Sequence, residues 1–206
     1  MRRSLLVIIA IVVLCVLYRP RYHQPRVYRN VFTPRVCDHI INLASTKLEP
    51  STVSEDREVD QSIRKSKTAW LDPKSDKVVK QVIDKCSSFT DRPSKNCEHL
   101  QVLKYKPGGF YTEHQDTFEK HLEKNYRMYT CIIGLNEEYE GGETVFPTIK
   151  KKYRLNRGDV LVFNTLNDWD MFTDDALHAG TTVHSGEKWI CNLWVHKHEF
   201  VPGEIN

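Results

Sequence analysis

The sequence has six cysteines, yet no two form a CxxC pair and none sits in the Cys/His spacing of a zinc finger, which argues against structural zinc. It has no internal repeat and no low-complexity tract, so solenoids, propellers and biased linkers are excluded. No apolar run reaches the roughly 20 residues that a spanning helix ordinarily needs. Charge of one sign is scarce as well: Lys and Arg number 30 against 27 Asp and Glu, a formal net charge of +3. Much of that excess lies in the first 30 residues. No long basic face interleaved with aromatics follows, so nucleic acid is not an expected partner.

What remains is 206 residues, 40% hydrophobic and 28% charged, enough for one full core and too short for two ordinary domains. The start differs from the rest. Arg2 and Arg3 precede an uncharged run from Ser4 to Tyr18, and Arg19, Arg21, Arg26 and Arg29 follow it. Arginines snorkelling from both ends and the thinner bilayer of the endoplasmic reticulum would narrow its shortfall in length. The run ends in Cys15-Val16-Leu17-Tyr18, bulky where a cleaved signal ends in small residues. The expectation is a signal anchor and basic connector over residues 1–26, which makes the membrane a partner, and one folded domain over 27–206 in the lumen of the endoplasmic reticulum. A cleaved, secreted form and a helix buried in the body are the alternatives. Cys86 and Cys97 bracket a polar stretch and in a lumen could close a disulfide; otherwise they read as two free thiols.

Thr33-Pro34 reads as the N-cap and first position of a helix carrying Val36, Ile40, Ile41 and Leu43 or Ala44. Ser75 to Phe89 repeats Val78, Val79, Val82 and Ile83 at helical spacing. Between them residues 48–68 are polar and weakly periodic, which predicts a long loop. From His99 the period becomes that of strands, in EHLQVLKY, GGFYTEH, RMYTCIIGLN, ETVFP, GDVLVFNT, ALHAGTTV and EKWICNLWVHKH, separated by Gly-rich turns. About seven or eight antiparallel strands behind two helices predict a mainly β body with supporting α-helices, folded as a double-stranded β-helix (jelly roll).

The chemistry begins at His114-Gln115-Asp116, where alternation along an extended chain puts one imidazole and one carboxylate on the same side. His178 lies in another strand-like run. Together they supply the 2-His-1-carboxylate face that leaves positions open on non-heme Fe(II), although a His-x-Asp triplet alone is equally a structural hydrogen-bonded pair. Lys188 follows His178 by ten residues and sits beside the apolar Trp189 and Ile190. Burying an unpaired ammonium is costly, so it either meets an incoming carboxylate or snorkels from an edge strand. Tyr105, nine residues before His114, offers a phenol that could reach the same carboxylate; alone it reads as a strand aromatic.

An ordered set of motifs now resembles a known family. Tyr105-(two)-Gly108-(two)-Tyr111-(two)-His114-Gln115-Asp116 is followed by Asn125-Tyr126-Arg127-(two)-Thr130. Then come Gly141-Gly142-Glu143-Thr144, Arg157-Gly158-Asp159, His178-Ala179-Gly180, and Gly186-Glu187-Lys188-Trp189-(four)-Trp194-Val195-His196. The set is similar to the 2-oxoglutarate- and Fe(II)-dependent dioxygenases and, within them, the prolyl 4-hydroxylases, over about residues 31 to 200. By that resemblance His114, Asp116 and His178 are the iron ligands and Lys188 with Tyr105 binds the distal carboxylate of 2-oxoglutarate. Trp194, Tyr111 and Thr130 border the site, and Pro50 to Ser66 is a candidate lid. The family uses O2 and 2-oxoglutarate to hydroxylate proline C4, releasing succinate and CO2, with ascorbate rescuing the iron. A lysine at position 188 resembles the collagen, plant, algal and viral type. The implied substrate is a proline-rich or collagen-like peptide, without an obligate partner subunit. Another substrate for the same chemistry, and a non-catalytic peptide-binding jelly roll, stay open.

Overall fold

The computed structural model describes residues 18–53, 58–118, 122 and 124–203. Helix α1 (Pro34–Ser45) starts at its proline, whose fixed φ and missing N–H suit a first helical position. Its Cys37, Ile40 and Ala44 are buried on one stripe. Helix α2 (Lys77–Ser87) starts from Asp76, whose carboxylate accepts the N–H groups of Val78 and Val79 at 2.8 and 3.0 Å. It buries Val79, Val82, Ile83 and Cys86.

Both stripes pack on one face of a seven-stranded antiparallel sheet in the order β1-β10-β6-β13-β4-β3-β2. Its strands are β1 (Arg26–Tyr28), β2 (Glu49–Pro50), β3 (Lys67–Leu71), β4 (Leu100–Tyr105), β6 (Arg127–Gly134), β10 (Val160–Asn164) and β13 (Lys188–His196). A four-stranded sheet, β5-β11-β8-β9, comprises β5 (Tyr111–His114), β8 (Thr144–Phe146), β9 (Lys151–Tyr153) and β11 (His178–Gly180). A third sheet pairs β7 (Tyr139–Gly141) with β12 (Val183–Gly186). A second core of Leu103, Tyr105, Ile132, Phe146, Leu161, Phe163 and Ile190 joins the large sheet to the small ones. The order of layers is therefore helices, large sheet, small sheets.

Four expectations are corrected. The body is mainly β with helices, but it is not a closed jelly roll: the strands lie in three open sheets. In the large sheet β1 and β2 stand at opposite edges. Alternation along the sequence marks strands but does not fix which of them pair, and no ladder among the described strands joins the large sheet to the small ones. Residues 48–68 are not one long loop, since β2 and the start of β3 lie there; pairing with β4 supplies what local periodicity does not. Cys86 and Cys97 form no disulfide; both are buried free thiols, Cys86 on the packed face of α2. Finally, the membrane anchor, membrane partner and endoplasmic-reticulum location are withdrawn. No helix among the described residues is long and apolar enough to cross a membrane, and Ser4 to Leu17 lie outside those residues.

The approach to α1 depends on one glycine. Gly158, at φ +84°, accepts the N–H groups of Val31 and Phe32 at 2.9 and 3.1 Å, and a Cβ there would collide with the Phe32 carbonyl. Gly158→Ala is expected to destabilise the fold by more than about 1 kcal/mol, read as a lowered midpoint in thermal or urea unfolding; an unchanged midpoint would contradict this packing.

Candidate active site

The four-stranded sheet places the two histidines. His114 ends β5, His178 opens β11, and the two are paired across the ladder. Asp116 lies two residues beyond His114, where the chain has left the strand. Ligand atoms of the three lie within 4.8 Å of one another. His114 Nδ1 is bonded to the Thr112 carbonyl at 2.8 Å and His178 Nδ1 to the Ala176 carbonyl at 3.1 Å. With each Nδ1 bonded to a carbonyl, each Nε2 is left as the ligand atom. Each Nε2 stands 3.6 Å from an Asp116 oxygen, His114 from Oδ1 and His178 from Oδ2. That is too long for a hydrogen bond. Three donors thus converge without satisfying one another, and two imidazoles with one carboxylate match the donor set of non-heme Fe(II).

The surroundings hold His114 and Asp116 in ligand form. Burial, then the neighbouring His178, pulls His114 down to about 3. Burial pushes Asp116 up, but His178, His114, Arg127 and the Thr130 hydroxyl outweigh it and hold the carboxyl at about 2. A neutral imidazole and an ionised carboxylate are the forms that bind metal. Tyr111 stacks on His114 with centroids 3.6 Å apart, while Phe146 and Phe163 lie 5.5 and 4.8 Å from the His178 ring. These contacts fix both ring planes.

Asp116 is anchored twice. Thr130, from β6, donates its hydroxyl to Asp116 Oδ2 at 2.6 Å, and Arg127 Nη1 donates to the Asp116 main-chain carbonyl at 3.1 Å. Arg127 also grips Glu98 with Nε and Nη2 at 2.5 and 3.1 Å, and His196 Nε2 bonds the same carboxylate at 2.8 Å. Burial raises Glu98, but Arg127 and His196 more than offset it and hold the carboxyl below its ordinary value. Glu98, Arg127 and His196 had no function assigned from sequence. Their signal there is a charged residue at the mouth of an apolar strand run, with no indication of which partner it meets.

Lys188 and Tyr105 face each other across β13 and β4. The Lys188 ammonium is 5.2 Å from the Tyr105 ring centroid and donates to the Gly142 carbonyl at 2.6 Å. It is 4% exposed and has no ion pair among the described residues, and burial pulls its pKa to about 8. Trp194 lies on the same strand, under the Arg127 guanidinium at 3.8 Å. Its indole N–H is buried without a hydrogen-bond partner among the described residues. Of the candidate lid, Arg64 bridges to Tyr111, and residues 54–57 lie outside the described residues.

The 2OG-Fe(II) oxygenase superfamily model matches residues 100–196. A "Putative prolyl 4-hydroxylase" of Acanthamoeba polyphaga mimivirus is 35% identical over 188 residues, covering 87% of this chain and 76% of that protein. The chain belongs to the prolyl 4-hydroxylase family. "Probable prolyl 4-hydroxylase 10" of Arabidopsis thaliana is 31% identical, with 86% of this chain and 71% of that protein covered. Among solved structures, the viral collagen prolyl hydroxylase of Paramecium bursaria Chlorella virus-1, crystallised as a 2-oxoglutarate complex, superposes with a TM-score of 0.69 at 28% identity. The match covers 84% of this chain and 96% of that one. With an intact 2-His-1-carboxylate triad, this prolyl 4-hydroxylase family member is an Fe(II)- and 2-oxoglutarate-dependent dioxygenase.

Among the described residues, the Thr130 hydroxyl is the one side-chain hydrogen bond that orients the Asp116 carboxylate. Thr130→Val, which keeps the shape and removes the donor, is expected to weaken Fe(II) binding by about 10- to 100-fold, measured by metal titration; wild-type affinity would show that the bond does not position the ligand.

Proposed function

We propose that the chain hydroxylates peptidyl-proline at C4, with His114, Asp116 and His178 holding Fe(II) and Lys188 and Tyr105 receiving the distal carboxylate of 2-oxoglutarate. The observation that carries this reading is the convergence of two free Nε2 atoms and one carboxylate, with a buried, unneutralised Lys188 ammonium in the same core region. When bound, Fe(II) supplies the O2-activating chemistry that couples decarboxylation of 2-oxoglutarate to succinate and CO2 with hydroxylation of the substrate C–H bond. The protein's part is positional. Lys188 offers charge, and Tyr105 walls the same pocket with its ring and phenol. Thr130 and Arg127 fix Asp116, and Tyr111 holds the His114 ring plane. Trp194 contributes a buried indole N–H that has no hydrogen-bond partner among the described residues and is open to a substrate acceptor. O2 is the second cosubstrate, and ascorbate serves to keep the iron reduced. A proline-rich segment in extended polyproline II form suits such a site, because its backbone is unpaired and its ring edges project outward. The names of the viral and plant relatives support proline as the target.

Incubating the protein with a proline-rich peptide, Fe(II), 2-oxoglutarate and ascorbate is expected to add one oxygen, which tandem mass spectrometry localises to proline. Oxygen found on lysine, or none on any peptide, would reject the assignment. His114→Ala or Asp116→Ala is expected to abolish Fe(II)-dependent succinate release, and normal release from either would sink the ligand set.

Lys188 gives a pH test. Burial lowers its pKa to about 8, so in the ligand-free protein the neutral amine gains population above that pH. A dicarboxylate is held by the ammonium form, so 2-oxoglutarate affinity should weaken with rising pH, by up to about tenfold per unit. Lys188→Arg should flatten that limb and Lys188→Ala should raise the 2-oxoglutarate requirement about 30-fold or more. Titrations of 2-oxoglutarate across the alkaline range check both; pH-independent affinity in the wild type would remove Lys188 from the pocket.

A further inference from the structure

The structure holds a concavity of about 200 Å³ whose lining includes none of His114, Asp116, His178, Lys188 or Tyr105. Its lining is cationic. Arg64, Lys65, Lys67, Lys104 and Lys106 contribute to it, and among the described residues no acidic side chain does. Lys104 alone is neutralised, by Glu187 at 2.8 Å, while its ammonium sits over the Trp189 ring. Lys65, Lys67 and Lys106 enter no ion pair among the described residues. Two of these charges are also set against each other, because Lys67 of β3 is directly opposite Lys104 of β4 in the ladder. Like charges in that position are unfavourable. Glu58 and Asp60 flank the lining residue Val59 but stay outside the lining, and Asp60 is occupied by the Ser62 N–H and hydroxyl at 2.8 and 2.6 Å.

The concavity touches the catalytic region through two contacts. Arg64 lines it and lies 4.6 Å over the Tyr111 ring, and Tyr111 stacks on His114. The backbone repeats the connection, since Lys65 N–H donates to the Phe110 carbonyl and Thr112 N–H to the Ile63 carbonyl, each at 2.9 Å. The walls are not purely polar, for Pro50, Val59 and Pro107 line it too, and Val59 is 53% exposed. A ligand that fits must therefore carry apolar surface and negative charge together.

We infer that this basic groove receives an acidic stretch of the substrate chain flanking the target proline, so that the protein selects proline-rich segments bearing Asp or Glu beside the hydroxylated residue. The inference rests on the peptidyl-proline reading above and adds the substrate's charge to it. Carboxylates seated between Lys65, Lys67 and Lys106 relieve the cation crowding, while the intervening prolines lie on the apolar wall. Because these lysines are solvent-facing, selection acts mainly on encounter and binding and weakens with salt.

The test uses the full chain and three fluorescein-labelled peptides of equal length around one proline-rich centre, flanked by Glu, Ser or Lys. Equilibrium binding is read by fluorescence anisotropy, and hydroxylation by mass spectrometry with KM and kcat separated. The Glu-flanked peptide is expected to bind roughly tenfold tighter than the Ser-flanked one at low salt, with the gain in KM rather than kcat and largely lost at high salt. Lys65→Glu with Lys67→Glu is expected to reverse the order, so that the Lys-flanked peptide binds best. Lys106→Glu alone should narrow the preference, and it serves if the double variant does not fold. Equal affinity for all three peptides, or a preference unmoved by both variants, overturns the inference. Anisotropy separates this from failure of the proline reading: charge-dependent binding without oxygen on proline rejects the reaction and keeps the groove, whereas hydroxylation indifferent to flanking charge does the reverse. Tight binding of a DNA oligonucleotide with no ranking among the peptides also overturns it.

Discussion

Strand β13 is hydrogen-bonded to β4 on one side and β6 on the other, and its pleat decides which side chains meet. Trp189, Cys191, Leu193 and Val195 enter the core shared with α1 and α2, and Ile190 enters the core shared with the small sheets. With a period of two, Lys188, Asn192 and Trp194 must go with Ile190. Register then brings Lys188 opposite Tyr105 and Trp194 opposite Thr130, whose hydroxyl reaches Asp116. A slip of one residue would put Lys188 among the helices and Trp189 in the site. Apolar packing on the helix side thereby dictates the chemistry on the other.

Several buried titratable groups lie around that second face. Glu98, Asp116, Lys188 and His196 are each less than a tenth exposed. Desolvating such groups is costly unless each finds partners, and most do. Arg127 spans from the Glu98 carboxylate to the Asp116 carbonyl while its plane covers Trp194. Arg127 therefore acts on the Asp116 main chain and Thr130 on its side chain, so the carboxylate is constrained at both levels. A Lys in place of Arg127 would lack the planar fork that reaches Glu98 twice.

The parts of this arrangement legible in sequence are those governed by local periodicity or fixed spacing. The helices at Pro34 and Lys77, the strand ending in His114 and the long strand beginning at Lys188 follow from short-range patterns. The family resemblance marks His114, Asp116 and His178 as ligands where residue type alone left a hydrogen-bonded pair open, and the fold brings their ligand atoms together. What escaped depends on distant partners. β3 is half exposed and becomes a strand because β4 pairs with it. Glu98 and Arg127 lie 29 residues apart in the chain, and nothing near either one indicates a shared ion pair. The jelly-roll expectation failed for the same reason: alternation identifies strands, but which strands pair, and so whether sheets close, is set by partners far apart in the chain.

The contrast between Asp116 and Lys188 shows how one fold can hold two kinds of buried charge. Asp116 is surrounded by groups that favour its ionised form, and its carboxyl is held at about 2 despite burial. Lys188 has a carbonyl for a partner and no ion pair among the described residues, and burial draws it down to about 8 against the weaker opposing influence of Glu143. The first group is compensated by the protein itself, as befits a ligand that must be charged and in place before the metal arrives. The second leaves part of its desolvation cost uncompensated in the ligand-free protein, held there by the β4 and β13 ladder. A carboxylate entering beside Lys188 meets an ammonium already stripped of water, so the attraction gained is stronger than it would be at the surface. If 2-oxoglutarate binds at Lys188 as proposed, its distal carboxylate would complete the charge balance of the interior, and occupancy would stabilise the fold as well as being a step in turnover.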